Sequence, residues 1–79
     1  MPKFYLSLLD RDGILADHEG QMFYDIDSAA VDAIRQIRSM VSLEIVERGE
    51  ADLTRAIEIV GQGGVARHVA FSEAISVSV

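Results

Sequence analysis

The chain contains no cysteine. Disulfides, thiolate metal centres and a cysteine nucleophile are therefore excluded, and the composition suits a reducing cytoplasm. Bases are scarce too: seven lysines and arginines stand against thirteen acids, a net charge of −6. A surface of that sign repels phosphate backbones, because affinity for nucleic acid comes largely from cationic neutralisation, so no nucleic acid is expected as a partner. An antitoxin-like nucleic-acid-binding protein remains the least favoured reading. Long hydrophobic runs are missing as well. The apolar stretch after Lys3 reaches only from Phe4 to Leu9 and is interrupted by Ser7. It is too short for a signal-peptide core or a membrane span, so the expectation is a cytoplasmic protein with no membrane partner. Repeats, linkers and low-complexity segments are also lacking.

What is present is enough for one core. A chain of 79 residues that is 49% hydrophobic buries roughly 60% of its unfolded surface as a single domain, residues 1–79. Residues 3–9 alternate, with Phe4, Leu6 and Leu8 on one parity and Tyr5, Ser7 and Leu9 on the other, which predicts a half-buried strand. Asp10-Arg11-Asp12-Gly13 predicts a tight turn, since glycine supplies the positive φ that such hairpins need. A second strand follows from Ile14 to Ala16, broken at His18-Glu19-Gly20, with a short third segment over Gln21 to Tyr24.

Asp25 and Asp27 compete as N-cap of a helix from about 26 to 48, which would be roughly 34 Å long. Ala30, Ala33, Ile34, Ile37 and Val41 recur every three or four residues and form its core stripe, opposite Asp32, Arg35, Gln36 and Ser39. Asp32–Arg35 and Glu44–Arg48 have the spacing of helix-surface ion pairs, and Gly49 suits the C′ position. After Ser42 the pattern changes. Val41 and Ile45 continue the stripe while Leu43 and Val46 project near the Asp32 and Ser39 side, so either the helix bends or something covers that end.

Thr54 to Val60 reads as a strand, Gly61-Gln62-Gly63-Gly64 as a turn, and Val65 to Phe71 as the partner strand. Ile75 to Val79 alternates again and reads as a further short strand or a loose end. The order ββ(β)αββ predicts an α+β fold, an antiparallel sheet of about four strands with one long amphipathic helix on one face. The other face, with Tyr5, Leu9, Ala66 and Ala70 available, is left for a partner.

The opening Phe4-Tyr5-Leu6-Ser7-Leu8, then Asp10-Arg11-Asp12-Gly13, Asp17-His18-Glu19-Gly20 and Phe23-Tyr24-Asp25, resemble a family of short bacterial domain-of-unknown-function proteins. Their openings look like YFxLxDxDGxxxDxEGxxxxD. The resemblance runs over about the whole chain, through the helix Ala29 to Arg48, the strand Ile57 to Val60, the glycine turn and Phe71-Ser72-Glu73-Ala74. The chain departs from it in the Gly-Gln-Gly-Gly turn and in Arg67 and His68, where aliphatic residues are usual. The resemblance implies this fold and a bacterial origin, and it carries no activity.

No residue pattern names a reaction. Between Asp10 and Asp27 six carboxylates face only Arg11, and Asp10, Asp12, Asp17 and Glu19 are candidates for weak divalent-cation binding. An EF-hand loop starting at Asp10 would need an oxygen ligand at Ile14, glycine at Leu15 and glutamate at Gln21, and has none of the three. A hairpin with solvated acids is the simpler reading. His18 between Asp17 and Glu19, and His68 beside Arg67, lack a partner nucleophile. Ser7, Ser28, Thr54 and Ser72 lack the context of a triad, and the glycine loop has neither the Lys-Ser/Thr sequel nor the helix of a phosphate-binding loop. These absences favour a non-enzymatic interaction or regulatory module without cofactor or metal, associating with itself as a homodimer or with another protein. Leu43, Val46, Ile75 and Val77 are the candidate contacts, because an apolar helix end and an alternating tail both invite pairing.

Overall fold

A computed structural model describes residues 1–75. Its elements, in chain order, are strands β1 (Lys3–Asp10), β2 (Gly13–Leu15) and β3 (Gln21–Met22), helix α1 (Ile26–Arg48), strands β4 (Ala56–Gly61) and β5 (Gly64–Ala70), and a short helix α2 (Phe71–Ala74). All strand pairs are antiparallel. The sheet runs β2-β1-β4-β5, and β3 pairs with the far end of the β1 edge that β2 occupies. The α+β class and the single long helix agree with the sequence pattern, with five strands among the described residues where about four were expected. No helix among the described residues is long and apolar enough to cross a membrane.

Local chemistry explains the ends of α1. The Asp25 carboxylate, not that of Asp27, accepts the Ser28 N–H at 2.8 Å. At the other end Gly49 takes a left-handed conformation (φ 76°) and its N–H closes on the Ile45 carbonyl, which only glycine does without strain. Asp27 instead meets Arg67 of β5 at 3.0 Å.

One face of α1 packs on the sheet. Ala29, Ala30, Ala33, Ile37 and Val41 are buried against Phe4, Ile57, Ile59 and Val69, with Leu6, Leu8, Ile34 and Met40 around them. In register, Leu6 opposes Ile59, Leu8 opposes Ile57 and Ile57 opposes Val69, so the helix-facing side of the sheet is continuous. The alanines let the helix approach closely. Two packed layers account for a molecule 17 Å thick along its shortest axis.

Three expectations are corrected. Phe71 does not end a strand; it opens α2 and is fully buried. Val65 and Val69 do not share a buried side, because a bulge between Ile59 and Val60 shifts the register, leaving Val65 exposed and Val69 buried. Ile45 does not continue the core stripe, since α1 has outrun the sheet at that point and leaves it 53% exposed. Ile75 follows α2 outside any strand, half-buried against the core; Val77 and the rest of the expected tail strand lie outside the described residues.

Candidate functional site

Val41 is the last buried residue of α1. Beyond it the helix runs two more turns without bending out of helical geometry, and Leu43 (57% exposed), Ile45 and Val46 (80%) stand in solvent. Apolar residues scattered singly on a surface need no explanation, but three within four residues at a projecting helix end form a patch.

A polar lattice fastens this end. Glu44 does not pair with Arg48, four residues on; it takes Arg55, from the segment leading into β4. Arg55 Nη1 donates to Oε2 of Glu44 at 2.8 Å and Nη2 donates to Oε1, a two-pronged pair between largely buried side chains. Arg55 Nε donates to the Asp52 carbonyl at 2.9 Å, and its guanidinium lies 4.5 Å from the centroid of the Phe71 ring. Asp52 closes the neighbouring turn by accepting from the N–H and hydroxyl of Thr54 at 2.9 and 2.6 Å, while Arg11 approaches Asp52 at 3.6 Å. Hydrogen bonds from Arg55 hold the Glu44 carboxyl below its ordinary pKa, those from Thr54 do the same for Asp52, and Glu44 in turn raises that of Arg55.

Beside the apolar patch these groups enclose an open hollow of about 650 Å³. Its carboxylates come from Asp10, Asp12, Glu44, Glu50 and Asp52, its guanidiniums from Arg11, Arg48 and Arg55. Two of those cations, Arg11 and Arg55, are already committed to carboxylates.

The acidic 10–27 segment is used differently. Asp10 accepts the Asp12 N–H at 2.8 Å and so folds its own turn. Asp17 fills the gap on the β1 edge between β2 and β3. Its Oδ2 accepts the Leu6 N–H at 3.1 Å, its Oδ1 accepts the N–H groups of Glu19 and Gly20, and its own N–H donates to Ser7 Oγ. The N–H of Gly20, then that of Leu6, keeps the Asp17 carboxyl below the usual aspartate range. Glu19 and Asp12 point to solvent. Among the described residues no three acidic or histidine side chains are grouped as metal ligands would be.

The remaining polar residues are dispersed. His18 is exposed; His68 is exposed opposite Glu58, which stands between it and Ser7 in the sheet. Ser7 and Thr54 are engaged as above, and Ser72 is exposed on α2. Gly61 pairs with Gly64 across a two-residue turn that leads into a strand.

The residue that sequence reasoning missed is Arg55. Its only sequence signal is indirect: pairing Ala56 with Ala70 places Arg55 beside Phe71, joined by the Phe71 N–H to the Arg55 carbonyl at 3.0 Å. No family model, curated protein or solved structure matches the chain.

Proposed function

We propose that the chain is a small, non-enzymatic interaction module of the bacterial cytoplasm that docks another protein on the apolar C-terminal end of α1. The observation that carries this is the exposure of Leu43 and Val46 on helical turns with no sheet beneath them. The core needs α1 only as far as Val41, yet the chain stabilises two further turns with the Glu44–Arg55 pair and a glycine cap. Exposed apolar area at a rigid element is what helix-groove recognition uses. Selection of displayed random sixteen-residue peptides on the immobilised protein tests it. Enriched peptides should lose binding to Leu43→Glu and Val46→Glu variants, which keep the fold because both sites are exposed. Absence of any enrichment that depends on these two residues refutes the reading.

Self-association is a second reading, on a different surface. The sheet face turned away from α1 carries Tyr5, Leu9 and Ala70, all half-buried, and its charged groups are balanced around Glu58 and His68. A second copy would meet little like-charge repulsion there. Sedimentation over the micromolar range decides: a dimer weakened by Leu9→Glu supports it, and a strict monomer removes it.

A further inference from the structure

On the docking reading above, we propose that the segment received at the end of α1 is basic and amphipathic, supplied by a different protein and not by a second copy of this chain. The apolar anchors are Leu43 and Val46, adjacent on the helix surface because they are three residues apart. Glu47 stands one turn beyond Leu43, and Glu50 and Asp12 lie on the rim of the adjoining hollow. None of these three carboxylates forms an ion pair with a described residue. The two nearest strong cations cannot serve them, since Arg11 faces Asp52 and Arg55 is held by Glu44. Leu53, exposed on the wall of the same hollow, adds a third apolar contact.

Charge then selects the occupant. A second copy brought here would set carboxylates against carboxylates, on a chain already at −6, and like charges at an interface cost association. A partner whose apolar side chains recur at helical spacing, flanked by lysine or arginine, would bury Leu43 and Val46 and neutralise Asp12, Glu47 and Glu50 together. A lone metal ion does not fit, because these side chains are spread along a surface and do not converge.

The peptide selection reads this directly. Peptides whose binding depends on Val46 should carry net positive charge, with apolar residues three or four apart. Their affinity should fall as salt rises. Glu47→Gln and Glu50→Gln should each weaken a chosen synthetic peptide by roughly two- to fivefold, the effect expected of rim charges, while unfolding in urea stays unchanged. Val46-dependent peptides that are neutral or acidic, or that bind independently of salt, overturn the inference and leave the docking reading standing. A concentration-dependent dimer abolished by Val46→Glu gives the surface to a second copy and also overturns it. No Val46-dependent peptide at all refutes the docking reading itself.

Discussion

Arg55 and Glu44 are joined through both guanidinium nitrogens, across eleven residues of chain, with the Phe71 ring beneath the guanidinium. The contact ties three elements together: α1 by its last turns, the entry to β4, and α2. It lies directly under the apolar helix end, so the same pair that completes the fold also holds the candidate docking surface in place.

Arg55→Lys should therefore be far from conservative. A lysine keeps the charge but loses the fork and the flat stack on Phe71. We expect a loss of about 1–2 kcal/mol in urea unfolding, with added amide exchange over residues 43–48 as the helix end loosens. An unchanged exchange pattern would show that the cap at Gly49 suffices to hold those turns.

Phe71→Ala should remove about 3–5 kcal/mol, since the ring is fully buried and its loss leaves a cavity. A domain of this length has about 4–12 kcal/mol in total, so circular dichroism should find the variant largely unfolded on mild warming. Phe71→Leu should fall between it and the parent.

Asp17 makes stability depend on acid. Its folded pKa lies below the ordinary value, so its contribution is complete above about pH 4 and is lost as pH falls through the folded value. Asp25, Glu44 and Asp52 are shifted the same way and add to the decline. Asp17→Asn should be about 1–2 kcal/mol less stable at pH 7. Its urea midpoint should also fall less steeply between pH 4 and 2 than the parent's; equal slopes would count against this role for the carboxylate.

Two glycines with similar φ should respond unequally to alanine. Gly49 (φ 76°) has open space where a Cβ would go, whereas at Gly20 (φ 71°) a Cβ would sit 2.8 Å from the Tyr5 ring. Gly49→Ala should cost about 1 kcal/mol from the backbone alone. Gly20→Ala adds displacement of Tyr5 and should cost about 2 kcal/mol; equal midpoints for the two variants would remove the steric part.

Much of the fold is legible in local pattern. The i, i+3, i+4 spacing from Ala30 to Val41, a carboxylate at Asp25 and a glycine at 49 mark a helix with the observed bounds. The alternation of residues 3–9 and the glycine turns mark both hairpins. Such signals are local because backbone hydrogen bonding and side-chain direction repeat over two to four residues. Where the reading failed, the deciding contact was distant. The Glu44–Arg48 spacing is a good helix pair, yet Glu44 turns to Arg55, where burial and a planar donor strengthen the bond. Asp17 looks like one acid among six until Leu6, eleven residues away, is found donating to it.

The sequence by itself determined the class, the helix, the hairpins and the apolar irregularity at residues 43–46, because propensity, capping and periodicity are written in neighbouring residues. Only the tertiary structure decided that α1 outruns its sheet, that Ile45 joins Leu43 and Val46 in solvent, and that Arg55 and Phe71 secure the projecting turns. Where a helix stops being covered depends on the lengths and register of strands far along the chain, and no local pattern contains that sum.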